Sequence, residues 1–528
     1  MGEYVVGIDL GTRYAEAAVD IPGRGVSIIP NRWGENRAPS MVAYTKDGLV
    51  AGEDAARVML TEPESVWWDM KRRLGSDWTA RVGGRSLGPE EMLPPLLSLL
   101  REDAEAFLDT FVSSCVLAAP AHFGFPERGA LARAARNAGF ERVRIVNEPT
   151  AAALSAGIDG RFLVMDFGAG TLDMSLVEGD GGVFQVLDSE GRRDIGGLDI
   201  DRLLAEWLCR NAGVPLSRPD DPRASLMTRE AENVKIALSH AKRVTWRAPA
   251  GLAADGGRSV DIERAEFESL IYHLMEEILN MVVKMWRKYE PDRLLTVGGS
   301  SGIPLLRRML AERVREPDRV GSSGSEYAVV AGSALYAHQG RERLLIDVLS
   351  ESLGIMNADG EVVPLLRKGA PLPARARQAF TASGSGSIEV TVARGERRVR
   401  GADRAGRILQ TLTIDKISDG ETVEVDFKID GGGLLHVEVK RGANTSRRTI
   451  SLDFDDSDGT PCDLASEMRI REDRIAKLSG GYPGDYRARL LNIAKDARLL
   501  KNGDPSLRWQ ALAVLDNMIA ELERAPAK

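Results

Sequence analysis

Residues Phe162 to Val177 read FLVMDFGAGTLDMSLV: two apolar stretches joined by a glycine-dense turn, with Asp166 and Asp173 inside their ends. The pattern predicts a buried β-hairpin whose tip faces a ligand. Gly168 and Gly170, on either side of Ala169, let main-chain N–H groups crowd around an anion without a Cβ in the way. Phosphate suits such a tip: the Thr171 hydroxyl could bond one of its oxygens, and Asp166 or Asp173 could hold a hydrated Mg2+. An ordinary hairpin closed by a glycine turn would read much the same.

A second copy separates these readings. Tyr4 to Val19, YVVGIDLGTRYAEAAV, repeats strand, acidic residue (Asp9), glycine turn (Gly11, Thr12, Arg13) and strand. Two such hairpins imply a duplicated α/β fold that holds phosphates between facing tips. A third glycine turn, VGGSSGIP from Val297 to Pro304, follows an apolar strand and opens a helix. With Gly298, Gly299 and Ser300 it suits the nucleoside end.

The chain has 528 residues, too many for one core, and two to four domains are expected. A net charge of −8 gives no electrostatic reason for a nucleic acid or acidic membrane partner. Cys115, Cys209 and Cys462 lie far apart without metal-ligand spacing, which fits a reducing compartment. The N-terminus runs directly into a strand, and no apolar run approaches a membrane span. A cytoplasmic protein is expected, with no membrane partner, as a monomer.

Short strands alternate with long helical stretches over residues 1–340, which argues α/β. Glu232, Lys235 and Ser239, at i, i+3 and i+7 of a helix over Met227 to His240, share one face. That face is either a solvent-facing stripe or part of a site. An apolar run, Leu344, Leu345, Ile346 and Val348, carries Asp347 within it and reads as a linker or as one more strand. From 350 to 455 the apolar period becomes two: Ile388, Val390, Val392; Val423, Val425, Phe427, Ile429; Leu435, Val437, Val439. Such strands suggest a β-sandwich. The remainder, 456–528, reads as a short helical hairpin, with Asn502-Gly503-Asp504-Pro505 between its helices.

The ordered set IDLGT, VNEPTAAAL, MDFGAGTLD, IGGLDID and VGGSSGIP resembles the seventy-kilodalton heat-shock chaperones, the DnaK-like family, and five matches in order are far more specific than any single glycine motif. The resemblance implies a duplicated actin-like two-lobed ATPase domain (1–340), an interdomain linker (341–349), a β-sandwich that binds extended peptide (350–455) and a shortened helical lid (456–528). It implies ATP hydrolysis to ADP and phosphate with Mg2+, coupled to binding and release of unfolded polypeptide. A J-domain co-chaperone and a nucleotide exchange factor are the further partners it suggests.

Residue by residue, the resemblance gives Lys71, in WDMKRRLG, the role of orienting the attacking water, with Glu148 near that water and Asp166 and Thr171 assisting. Asp9 and Asp173 would organise Mg2+ through its waters. Gly11, Thr12, Arg13, Gly168, Ala169 and Gly170 would cradle phosphates; Glu232, Lys235, Ser239, Gly298, Gly299 and Ser300 would hold the nucleoside. Pro120, Arg128, Leu345 and Asp347 would couple the domains, and Phe380, Ile408, Leu409 and Ile417 are candidates for the peptide pocket. Three departures stand out: Gly302 replaces an arginine common beside the adenine, the β-domain loops Thr381 to Ser387 and Ser418 to Thr422 are altered, and the C-terminus lacks the EEVD signature. Two alternatives remain at this point, a sugar kinase of the same fold and a non-hydrolysing regulatory relative.

Overall fold

The computed structural model describes residues 4–451, except 60, 158, 193, 215–221, 249–258, 315–319, 323–325, 338–343, 350, 358–359, 383, 396–407 and 442–447, together with 475–477, 515 and 519. The helical hairpin expected of the tail falls outside the described residues.

Both expected hairpins are present, each at the centre of a six-stranded sheet. In the first sheet β1 (Val5–Leu10) pairs antiparallel with β2 (Tyr14–Ile21), followed by β3 (Gly25–Ile29). On its other side β1 runs parallel to β4 (Ser114–Ala119), which is parallel to β5 (Arg142–Asn147). The two-residue strand Ala38–Pro39 completes the sheet beside β2.

In the second sheet β6 (Gly160–Phe167) pairs antiparallel with β7 (Leu172–Asp180), followed by β8 (Val183–Arg192). β6 is parallel to β9 (Arg293–Val297), which is parallel to β10 (Val320–Ser322). The order and sense of the five main strands therefore repeat. The second sheet has one strand more, β11 (Leu344–Ile346), parallel to β8. Leu344–Ile346 of the apolar run is thus a strand on an outer edge of this sheet.

Helices α1 (Glu148–Ala156) and α2 (Ala328–Tyr336) lie between the two sheets. Ala151, Ala152 and Ala153 share one apolar cluster with Val116 and Val146 of the first sheet and Phe162, Val164 and Val177 of the second. Small residues let the helices approach closely: a Cβ on Gly332 would strike the Ala151 carbonyl. The alanine run of VNEPTAAAL is therefore packing, and it carries Glu148 into the space between the sheets.

Beyond the linker strand, two four-stranded sheets share one core. One has the order Val362–Leu366, Leu353–Met356, Gly386–Arg394, Ile408–Ile417; the other Ala374–Thr381, Thr422–Ile429, Leu435–Arg441, Arg448–Ser451. The period-two reading holds in its details: Val423, Val425, Phe427 and Ile429 are all at most 2% exposed. Of the four residues suggested for a peptide pocket, Ile417 is buried in this core, while Phe380, Ile408 and Leu409 are half-buried.

The β-domain is docked on the first sheet's side by an exchange of side chains. Phe125, which opens the helix Phe125–Asn137, is buried within the β-domain cluster, whereas Leu434 joins the cluster under the first sheet. Burying a large apolar side chain contributes roughly 1.5–3 kcal/mol. Phe125→Asp is therefore expected to free the β-domain, seen as a larger radius of gyration in small-angle scattering and faster proteolysis around residue 340. Unchanged scattering would show that docking does not depend on this side chain.

Candidate functional site

The two hairpin tips bring Asp9, Asp166 and Asp173 into one space, and α1 adds Glu148. Asp166 and Asp173 are directly cross-strand partners, and Asp173 is fully buried. Lys71, on the short helix Met70–Arg73, ion-pairs with Glu148, and its Nζ is 4.0 Å from Asp9 Oδ1. One cation thus faces four carboxylates.

The electrostatics follow from burial. Burial pushes the Asp166 carboxyl well above its ordinary range, and Glu148, Asp9 and Asp173 add to that push against Lys71. Asp9 is also raised by burial, with Lys71 opposing. Glu148 is pushed up to about 7, burial again outweighing Lys71. Burial disfavours the Lys71 ammonium, yet Glu148 and Asp9 more than offset it, and its pKa lies above the ordinary value. Lys71 stays charged while its acidic neighbours hold protons more readily than usual. A divalent cation would relieve that excess negative charge.

The donor set fits Mg2+. Asp9 Oδ1 and Asp173 Oδ2 are buried without a hydrogen-bond partner, and carboxylate oxygen is the donor this hard cation prefers. No three acidic or imidazole side chains among the described residues converge closely enough to ligate a metal directly. His122 also reaches the site, although nothing in its strand-end context signalled it. Its Nδ1 is 2.9 Å from Asp173 Oδ1, and its backbone N–H donates to the same oxygen at 3.2 Å.

Around the second tip the backbone is held by a set of close contacts. Gly168 N–H donates to Thr171 O (3.1 Å), and the N-terminus of helix α3 (Gly197–Ala212) closes against the turn through Gly197 N–H to Gly168 O (3.0 Å) and Leu198 N–H to Ala169 O (2.8 Å). Ser300 Oγ donates to Gly168 O at 2.9 Å, which ties the third glycine turn to the second. Gly170 faces Thr12 of the first tip so closely that a Cβ would displace the Thr12 hydroxyl. Gly298 has φ 81°, and a side chain there would strike Asp166.

The helical face read from sequence has its three polar members on one helix with different partners. On α4 (Pro222–His240), Glu232 Oε2 is 3.1 Å from Arg13 Nε and Lys235 Nζ is 2.7 Å from Asp201 Oδ1. Ser239 donates to the Lys235 carbonyl of its own helix (3.2 Å). Asp201, quoted in IGGLDID but given no role, is completely buried between them.

Two of the coupling candidates, Arg128 and Asp347, are joined through Asn147. Arg128 bonds Gly432 O of the β-domain (2.8 Å) and Phe123 O (2.9 Å), and it pairs with Asn147; Asn147 Nδ2 donates to Asp347 Oδ2 at 2.6 Å. Asp347 accepts from its neighbour Val348 N–H, while its carbonyl accepts from Leu372 N–H. Pro120 follows the end of β4 two residues before His122.

A family model described as Hsp70 protein matches residues 5–83 and 77–476. The chaperone protein DnaK of Thermotoga neapolitana is 33% identical over 556 aligned residues, covering 99% of this chain and 93% of the relative. The chain belongs to the Hsp70 family. DnaK of Thermotoga petrophila is also 33% identical, over 83% of this chain and 78% of its own length, and so is that of Thermosipho africanus over the same shares. Like its Hsp70 relatives, the chain is an ATP-dependent molecular chaperone, an ATPase of the chaperone type. The sugar-kinase and non-hydrolysing alternatives find no support in these comparisons. No described helix is long and apolar enough to cross a membrane.

The buried contact of Asp347 carries a pH prediction. Burial pushes the Asp347 carboxyl up to about 6 against the opposing pull of Arg128, the Val348 N–H and Asn147. Asp430, also raised by burial, approaches the same arginine. A freed aspartate titrates near 3.9, so the docked state binds more protons between these values. Docking is then strongest below about pH 4 and weakens as pH rises through about 6, by an amount on the order of 3 kcal/mol for Asp347. Scattering between pH 5 and 7.5 should show the expansion, and Asp347→Asn should remove the share due to Asp347. Compaction with rising pH would contradict this.

Proposed function

We propose that the chain binds ATP between two actin-like lobes within residues 1–340 and hydrolyses it to ADP and phosphate. Nucleotide state is relayed through a linker at 341–349 to a β-sandwich at 350–455, which binds extended unfolded polypeptide beneath a short helical lid at 456–528. The observation that carries this reading is the meeting of Lys71, Glu148, Asp9, Asp166 and Asp173 between two topologically repeated hairpin tips.

In this reading the backbone and hydroxyls of Gly11, Thr12, Gly168, Ala169, Gly170 and Thr171 hold the phosphates, with Arg13 beside them. Gly298, Gly299 and Ser300 border the nucleoside, with Glu232, Lys235 and Ser239 on the facing helix. Asp9 and Asp173 would hold Mg2+ through water, and the ion supplies charge neutralisation on the phosphate oxygens. Lys71, fixed by Glu148, orients a water toward the terminal phosphate. Glu148, raised to about 7, is suited to accept a hydrogen bond from that water. Asp166 stands behind the pair and assists at the same site.

Pro120, Arg128, Leu345 and Asp347 belong to the coupling path, and Phe380, Ile408, Leu409 and Ile417 remain the candidate peptide contacts. A J-domain co-chaperone and an exchange factor are the matching partners, and the cytoplasm the matching compartment. The test is equilibrium binding of a labelled apolar peptide with and without Mg2+ and ATP. ATP should weaken binding at least about tenfold, a typical coupling strength. Equal affinity in both conditions would remove the coupling.

A further inference from the structure

His122 meets one of the two carboxylates assigned to Mg2+ with two of its atoms, the backbone N and the ring Nδ1. The turn after β4 explains how. Phe123 N–H donates to Pro120 O at 3.0 Å, closing a turn over residues 120–123. The His122 N–H inside that turn is left to donate outward, and it reaches Asp173 Oδ1 at 3.2 Å. The ring follows the same direction: Nδ1 lies 2.9 Å from the same oxygen, and the side chain is only 10% exposed. Phe123 meets the imidazole edge-on, with ring centres 5.6 Å apart and planes at 86°, which helps to hold the ring plane. A carboxylate oxygen only accepts, so Nδ1 carries the hydrogen.

Both donors take the same oxygen. Asp173 Oδ2 is buried and has no hydrogen-bond partner among the described residues, so it is the oxygen left for a guest. The grip depends on room beside it. Gly191 of β8 is the cross-strand partner of Asp173, and a Cβ there would come within 2.6 Å of Asp173 Oδ1 and 2.9 Å of His122 Nδ1. Without the imidazole, Oδ1 would keep only the longer backbone contact from this residue, and the carboxylate could turn about its Cβ–Cγ bond. Carboxylates that hold metals are themselves hydrogen-bonded, and loss of such a partner typically weakens metal binding ten- to a hundredfold.

We propose that His122 is a positioning residue for the metal: by donating from Nδ1 to Asp173 Oδ1 it fixes that carboxylate, leaves Oδ2 for the waters of the ion, and so sets how tightly Mg2+ is held. This rests on the reading of Asp9 and Asp173 as the Mg2+ carboxylates. His122 acts through Asp173 and takes no part in bond breaking. Its removal should therefore weaken the metal and leave metal-free nucleotide affinity nearly unchanged.

The experiment is a Mn2+ titration of the full chain with ADP, read by electron paramagnetic resonance as loss of the free-ion signal, beside calorimetry of ADP binding in chelator. The variants are His122→Phe, which keeps a ring and loses the donor, His122→Asn, which keeps a side-chain N–H near the place of Nδ1, and Gly191→Ala, which crowds the contact. Mn2+ should bind at least about tenfold more weakly in His122→Phe and Gly191→Ala. His122→Asn should stay within about threefold of the parent, a rescue that ring packing alone would not give, and metal-free ADP affinity should stay within about twofold in all three. Parent-like Mn2+ affinity in His122→Phe, an equal loss in His122→Asn, or an equal loss of metal-free ADP binding overturns the role of His122 alone. A parent that retains no more Mn2+ than ADP does by itself overturns the metal reading of Asp9 and Asp173, and this role with it.

Discussion

Replacing Lys71 with alanine is expected to lower ATP turnover by about a hundredfold or more while ATP and ADP still bind, because a group that places the attacking water acts mainly in the transition state. In the proposed reading the backbone of the two tips, and not Lys71, supplies ground-state contacts to the phosphates. The local charge balance sharpens the expectation. Without the ammonium, Glu148 loses its ion-pair partner and Asp9 its nearest cation. Glu148, already raised to about 7 by burial, would rise further and lose its suitability as an acceptor for the water. Phosphate release under saturating ATP, beside equilibrium binding of ADP, separates the two effects. Turnover at the parent rate would remove Lys71 from the mechanism. Loss of turnover together with loss of binding would make it a structural residue.

The second large effect belongs to the linker. Leu345→Asp with Ile346→Asp places two charges on β11, where Ile346 is 7% exposed and the strand pairs with β8. A buried unpaired carboxylate is far more costly than the lost apolar contact, so β11 should leave the sheet edge. Nucleotide affinity should change little, since the tips lie at the opposite end of the β6–β7 hairpin. Peptide should then no longer alter hydrolysis, and ATP should no longer alter peptide affinity. Linkage requires the two binding effects to disappear together. A doubly substituted protein that still releases peptide on ATP addition like the parent would make this segment an edge strand with no role in coupling.

Much of this was legible in the sequence because the carriers are local. A hairpin announces itself by two apolar strands around a glycine turn, and its duplication predicted two facing tips; the repeated strand order of the two sheets agrees. The alternation at Val423, Val425, Phe427 and Ile429 likewise gave the buried face of a strand directly. What sequence spacing could not carry is who meets whom across the fold. Arg13 lies 219 positions from Glu232 (232 − 13) and Arg128 lies 304 from Gly432 (432 − 128). No periodicity links such partners. Phe125 opens a helix and Leu434 precedes a strand, and neither position marks that each is buried in the other domain's core.

The helical stripe shows the opposite limit. The face at i, i+3 and i+7 was read correctly as polar, yet two of its three members, Glu232 and Lys235, meet buried ions, while Ser239 turns back to its own helix. Helical spacing puts residues on a face without saying which side chains leave it. His122 was invisible for a related reason: a histidine after a strand carries no signal until Asp173 arrives from 51 residues away.

The most direct measurement is phosphate release by the purified full chain with ATP and Mg2+, before and after addition of an unfolded polypeptide. Slow Mg2+-dependent turnover that rises several-fold with the polypeptide is the expected result, about fivefold for a barrier lowered by about 1 kcal/mol. No Mg2+-dependent release, or a rate that polypeptide leaves unchanged, would contradict a site that joins ATP hydrolysis to polypeptide binding.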